Sequence, residues 1–249
     1  MLKTPRDLLI HTFHLYRAQF WLFIGYAAWL LPPLAAFLIL TNLPETPLTN
    51  VLAILAIFVQ IFVSIWMAIC IMKSVILLEQ KQVIDPNRLS VESLRRIHPV
   101  LIVAFLQILI IFGGLILFIV PAILFWVWYA HSQISSAVDN KRPLDALTYS
   151  RSLVKGRFFP VLWRLIAGPV VIGLGYTFVL GFILLIIGTV LGFDPVVILS
   201  EEPPLWTQLI ESMGDIFVIP LFIIYSMLLY TDLKKTLHTS HLEKDATVT

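Results

Sequence analysis

Five long stretches of the chain, residues 20–41, 51–72, 99–138, 165–193 and 216–231, contain no Asp, Glu, Lys or Arg. Polar and apolar positions do not alternate within them, as the wall of a membrane barrel requires, so helices are expected. A bilayer core of about 30 Å is crossed by roughly 20 helical residues. Four runs reach that length, and the fifth does so by drawing on residues from Trp206 onward. The run 99–138 is too long for one crossing, because at 1.5 Å per residue it would extend about 60 Å. It is expected to fold back at Phe118-Ile119-Val120-Pro121, with Pro121 opening the returning helix, where its missing N–H costs nothing. A turn at Gly113-Gly114 would leave the first arm too short to cross. Six transmembrane helices follow.

Charge placement tests that count. Lys and Arg collect on the cytoplasmic side of short loops. The N-terminal segment holds Lys3, Arg6 and Arg17, and the connection after the second span holds Lys73, Lys81, Arg88, Arg95 and Arg96. Lys141, Arg142, Arg151, Lys155 and Arg157 follow the fourth span, Arg164 stands just inside the fifth, and Lys234, Lys235 and Lys244 end the chain. These are all 17 basic residues. The other connections, 42–50, 120–121 and 194–215, carry none and hold Glu45, Asp194, Glu201, Glu202, Glu211 and Asp215 instead. Six spans put every basic cluster on one side; five would not. The expected location is a bacterial-type inner (plasma) membrane, multi-pass, with both termini cytoplasmic.

Composition agrees. Hydrophobic residues make up 59% of the chain and charged residues 13%, with a mean hydropathy of +0.93, whereas soluble domains carry about 25% charged residues. The first apolar run exceeds a signal-peptide core and lacks a small-x-small cleavage site, so it is expected to stay as an anchor. Cys70, the one cysteine, lies in the second span, where a small apolar filler suits it.

Three basic segments each precede a pair of spans, and each sorts into two faces at 100° per residue. In the first, Leu8, Leu9, Phe13, Tyr16 and Phe20 oppose Arg6, Asp7, His11, His14 and Arg17. In the second, Leu89, Val91, Leu94 and Ile97 oppose Glu92, Arg95 and Arg96. In the third, Ala146, Leu147, Tyr149, Leu153 and Val154 share an arc with Ser150, opposite Asp145, Thr148, Arg151, Ser152 and Lys155, with Leu144 the misfit. The stretch Ser93-Leu94-Arg95-Arg96-Ile97-His98-Pro99-Val100-Leu101 also resembles Ser152 to Leu162 in letters. Helices of this kind lie in the interface, basic residues toward anionic head groups. The expected fold is therefore all-α: a single membrane domain, 1–249, of three elbow-helix-plus-hairpin repeats. These are elbow 5–19 with spans 20–41 and 51–72, elbow 88–98 with spans 99–119 and 121–138, and elbow 142–155 with spans 160–193 and 206–231. A short cytoplasmic tail, 232–249, follows. For the third elbow, Asn140 is the expected cap, Pro143 the first turn and Gly156 the left-handed end.

At these residues the chain resembles a known family. Phe118-Ile119-Val120-Pro121, an aromatic-rich span, and then Ala146, Leu147, Ser150, Leu153, Lys155, Gly156 and Phe158 look like the bacterial glycerophosphodiester-phosphodiesterase membrane-domain family and its stand-alone YciC-type relatives. Ala122 replaces the family's Gly, and Arg151 its Trp. The resemblance implies a six-helix bacterial membrane protein. It does not carry over the phosphodiesterase chemistry, whose soluble barrel would need about 200 further residues.

Little catalytic chemistry is legible. There is no G-x-S-x-G, no H-E-x-x-H, no phosphate loop and no Cys pair, so no enzyme, cofactor, metal or nucleic-acid partner is expected. His11/His14 and His238/His241 lack further ligands nearby, and Glu201-Glu202 reads as solvated charge. No Asp, Glu, Lys or Arg stands at the centre of a span, as ion-coupled carriers usually require. The deepest polar groups are Gln60, Ser64, Gln107 and a cluster in the fourth span. His131, Ser132, Gln133, Ser135 and Ser136 of that cluster, with Ser150, form a candidate polar pocket or, alternatively, a set of interhelical hydrogen bonds. Arg95, Arg96, Arg142, Arg151, Lys155 and Arg157 are the candidate contacts for lipid head groups. Gly173, Thr177, Gly181, Gly188 and Gly192 share a face of the fifth span, either a close seam of the bundle or a homo-oligomer interface. Two functions fit: a non-enzymatic module organising anionic membrane lipids or a membrane-protein partner, and a transporter or flippase-like protein for a hydrophobic or zwitterionic substrate.

Overall fold

Prolines and short polar residues set the helix boundaries. The computed structural model describes residues 2–193 and 204–246, with the side chains of 205 and 238–246 left aside; all regular structure among the described residues is helical. The helices are α1 (Pro5–Ala18), α2 (Phe20–Ala27), α3 (Leu31–Thr41), α4 (Pro47–Glu79), α5 (Pro86–Leu94) and α6 (Ile97–Leu117). They continue as α7 (Ile119–Tyr129), α8 (Ser132–Val138), α9 (Pro143–Val154), α10 (Phe158–Val190) and α11 (Leu205–Ala246). Thr4 and Thr46 cap α1 and α4, each with a reciprocal bond from the third helical residue and a Pro in the first turn, which satisfies donors that a helix start leaves unpaired. Thr4's hydroxyl also holds the Asp7 carboxyl below the usual carboxylate range. Left-handed residues close the long helices: Lys81 at φ 55° and Gly192 at φ 77°. Beyond them, Gln82 donates to the Leu77 carbonyl and Phe193 to that of Gly188, both at 2.9 Å.

Five helical stretches are long and apolar enough to cross a bilayer: Phe20–Thr41, Pro47–Glu79, Ile97–Leu117, Phe158–Val190 and Trp206–Leu237. Proline interrupts the first, where a 3-10 turn at Ala28–Leu30 precedes Pro32 and Pro33, residues that cannot donate into the ladder. Between α6 and α7 the chain turns at Phe118, which is fully extended at φ −176° and ψ 163°. Pro121 is thus third in the returning helix rather than first; its position is still among the unpaired N–H groups of the opening turn. The run expected as one returning span is two helices, of 11 and 7 residues. The tail expected from 232 continues α11 to Ala246. Asp194, Glu201 and Glu202 lie outside the described residues.

Burial identifies the centre. In the apolar window of α11, 61% of residues are buried, against 11% for α10. α11 touches α1, α2, α3, α4, α9 and α10, and its Ile224, Tyr225, Met227, Leu229, Tyr230 and Leu233 anchor the main core. Its seam with α10 is reciprocal. A Cβ on Gly168 of α10 would fall on the Tyr225 ring of α11, and one on Gly214 of α11 would come within 2.8 Å of Tyr176 Oη of α10. The glycine face expected from the sequence is not this seam: a Cβ on Gly181 would meet nothing within 4 Å among the described residues, and Thr177 is exposed. Gly188 is buried.

The three elbow segments fold as α1, α5 and α9. α9 buries Ala146, Leu147, Ser150, Leu153 and Val154, and Leu144 is exposed as its off-arc position implies. Asn140 does not cap it: that residue is left-handed at φ 57°, and Arg142 holds the cap position without a side-chain bond. Gly156 is left-handed at φ 79°. The buried edges of α1 and α5 are rotated from the expected arcs. They centre on Leu8 and Thr12 and on Leu89 and Ser93, leaving Phe13, Val91 and Leu94 exposed.

Candidate functional site

The break between α7 and α8 gathers the polar residues of that segment. At Ala130–His131 the helix ladder stops, and a hydroxyl from α9 enters the gap. His131 N–H donates to Ser150 Oγ at 3.2 Å, and Ser150 donates to the Trp128 carbonyl at 2.8 Å. A side chain inserted into the ladder is a recognised cause of a sharp kink. Neighbouring serines take up carbonyls around it: Ser132 donates to Tyr129 at 2.7 Å, and Ser135 to Ser132 at 2.9 Å and Ala146 at 3.3 Å. Ser136 reaches the Lys141 carbonyl at 3.4 Å. Gln133 Nε2 donates to Gln107 Oε1 of α6 at 3.0 Å, and Ser132 Oγ does so at 3.3 Å.

All six candidates, His131, Ser132, Gln133, Ser135, Ser136 and Ser150, therefore meet in one knot joining α6, α7, α8 and α9. All but Gln133 are exposed by no more than 1%, so the knot is packed shut, as interhelical hydrogen bonding requires. The His131 ring stacks on Tyr230 of α11, centroids 6.0 Å apart, and its two nitrogens find no partner among the described residues.

The basic residues divide by direction. Arg142, Arg151 and Lys155 are exposed, as is Arg95, while Arg96 is half-buried in the turn between α5 and α6. Arg151 lies over the Trp128 indole, its guanidinium carbon 4.3 Å from the ring centre. Together they border a cleft of about 610 Å³ whose walls include Leu124, Trp128, Thr148, Arg151, Lys155 and Phe158. Two cations and a hydroxyl beside an apolar wall suit an amphiphile with an anionic head. Arg157 turns inward instead. It donates to the Leu153 carbonyl at 2.9 Å, Thr236 Oγ1 at 2.6 Å and the Leu233 carbonyl at 3.1 Å, tying the end of α9 to α11. Sequence reasoning missed Trp128 and Leu124 as walls of this cleft, since α7 meets α9 only through the tertiary fold.

His11 pairs with Glu79 at 3.0 Å. Among the described residues no group of three or more His, Cys, Asp or Glu side chains is placed to hold a metal. Five apolar helices of spanning length make this a helical, multi-pass membrane protein. No family model, curated protein or solved structure matches the chain.

Proposed function

We propose that the chain is a non-enzymatic six-span module of the glycerophosphodiester-phosphodiesterase membrane-domain type that gathers anionic lipid at the inner leaflet of a bacterial-type plasma membrane. The sixth span is α7 plus α8, together close to the ~20 residues a bilayer core needs. Three elbow helices, α1, α5 and α9, each precede a hairpin. Each also buries one hydroxyl residue on its inner face, Thr12, Ser93 or Ser150, which supports a threefold repeat. The resemblance around Ala146–Phe158 favours the same layout, with both termini cytoplasmic.

The observation that carries the function is the cleft of Arg151, Lys155 and Trp128. Exposed cations stand over an apolar wall at the edge of the bundle, where a lipid phosphate meets its acyl chains. A transporter or flippase would need an enclosed polar route toward the bilayer midplane, and the closed knot at His131 favours the lipid-organising reading.

The test is retention of phosphatidylglycerol by purified protein, read by native mass spectrometry. Each basic residue near a membrane surface contributes about 1 kcal/mol toward anionic lipid, so Arg151→Gln with Lys155→Gln lowers retention roughly ten- to thirtyfold. Leu153→Asp, which buries a carboxylate, damages folding instead. Unchanged phosphatidylglycerol retention in the double variant refutes the reading.

A further inference from the structure

A second cavity, of about 760 Å³, shares no lining residue with the Arg151 cleft and opens between the last turn of α4 and residues 227–235 of α11. Its volume falls within the roughly 300–1,000 Å³ typical of ligand sites. Ile76 and Met227 give it apolar walls, and Tyr230 closes one side. Four charged residues line it: Glu79 and Asp139, Lys234 and Lys235. They are arranged as two opposite-sign pairs. Lys234 Nζ lies 2.8 Å from Asp139 Oδ1, and Lys235 Nζ lies 4.0 Å from Glu79 Oε2. Tyr230 donates to Asp139 Oδ2 at 2.6 Å, and His11 contacts Glu79 Oε1 at 3.0 Å. Glu79 is the last residue of α4, and Lys234 stands near the end of the apolar stretch Trp206–Leu237 of α11, so the charges are placed at head-group level with apolar surface beneath.

We propose that this cavity holds a zwitterionic phospholipid whose head bears a phosphate and a primary ammonium. The lining charges cancel, so an anion gains no net attraction. Drawing a lone anion onto Lys234 and Lys235 would take the lysines from Asp139 and Glu79, leaving these carboxylates only Tyr230 and His11, which is unfavourable for charges partly removed from water. A zwitterion exchanges with both pairs at once: its phosphate takes the lysines and its ammonium takes the carboxylates. The carboxylates select N–H donors, so a primary ammonium is favoured over a quaternary one, which prefers a cage of several aromatic faces. Tyr230 is the single aromatic side chain among the cavity's described walls. One acyl chain lies against Ile76. This site is separate from the Arg151 cleft and does not depend on the function proposed for it.

The experiment uses the full-length protein in detergent with phosphatidylethanolamine, phosphatidylcholine or phosphatidylglycerol of matched chains, read by native mass spectrometry. Charge-assisted hydrogen bonds from the ammonium favour phosphatidylethanolamine over phosphatidylcholine by about tenfold. Glu79→Gln removes most of that preference, and Ile76→Trp, which fills the cavity, abolishes retention of the ethanolamine lipid. Both variants keep wild-type phosphatidylglycerol retention, which reports on the Arg151 cleft; unchanged phosphatidylglycerol retention in the Arg151→Gln, Lys155→Gln variant refutes the earlier reading and leaves this one intact. An unfolding midpoint within error of wild type shows each variant to be folded. Should Ile76→Trp misfold, Thr231→Trp fills the same cavity from α11. Equal retention of the ethanolamine and choline lipids, or full retention in a folded cavity-filled variant, overturns the proposal.

Discussion

Gly168→Ala should destabilise the bundle although alanine is the better helix former. A Cβ at this position falls on the Tyr225 ring. The ring cannot swing away freely: it is 1% exposed, and its hydroxyl donates to the Arg164 carbonyl at 2.7 Å. Overpacking a close seam costs about 1–3 kcal/mol, and losing the tyrosine hydrogen bond costs about 0.5–1.5 kcal/mol more. Against this, replacing Gly in a helix gains about 1 kcal/mol, so the net loss is roughly 0.5–3.5 kcal/mol. The assay is equilibrium unfolding in mixed micelles, with Gly181→Ala as the control. A Cβ on Gly181 would meet nothing within 4 Å among the described residues, so its replacement should be neutral or stabilising. A double-variant cycle with Tyr225→Ala should show coupling above about 1 kcal/mol, because the clash needs both groups. Gly168→Ala matching or exceeding the parent in stability would refute the seam.

Ser150→Ala strands two buried groups, the His131 N–H and the Trp128 carbonyl, so it should cost roughly 2–4 kcal/mol in the same assay. Thr148→Ala, on the exposed side of α9, should stay within about 0.5 kcal/mol of the parent; equal effects would show that the knot does not hold the break. Reporter fusions at Asn50 and Val120 should read extracytoplasmic, and those at Asp85 and Asn140 cytoplasmic. An extracytoplasmic signal at Asn140 would mean that α7 and α8 do not cross, and the six-span topology would be wrong.

The membrane class was legible because lipid imposes a one-dimensional rule: some 20 residues without charge must occur together. The runs beginning at Phe20, Val51, Pro99 and Leu165 all became helices of that kind. α9 was legible for a related reason, since its arc from Ala146 to Val154 opposes a polar face and ends in glycine. The arcs of α1 and α5 were misplaced by the same method, because each turns a hydroxyl inward. Thr12 and Ser93 are buried while Phe13 and Val91 are exposed. In a bilayer, exposure to acyl chains is no penalty for a large apolar side chain, so hydrophobicity does not say which side faces protein. The misplaced glycine seam follows from that ambiguity. Gly173, Thr177 and Gly181 are small and aligned, but the real constraint at Gly168 depends on a tyrosine some sixty residues away in α11.

The break at Ala130–His131 was illegible for a different reason, and it connects the knot to the lipid cleft. Residues 119–138 form an uninterrupted charge-free run with no proline at the break, so local propensity offers no reason to stop the helix there. The cause is a hydroxyl brought in by the next helix. Ser150 faces the bundle, while Arg151, one residue on and about 100° around the helix, faces out. Trp128 receives both: its carbonyl accepts Ser150 and its indole carries Arg151. The residue whose carbonyl receives Ser150 at the break is therefore one that walls the candidate lipid cleft. Moving the Arg151 head toward a phosphate changes the load on an indole whose backbone is bound into the break. α9 and the α7–α8 segment are thereby joined through one residue, by its side chain and its own carbonyl.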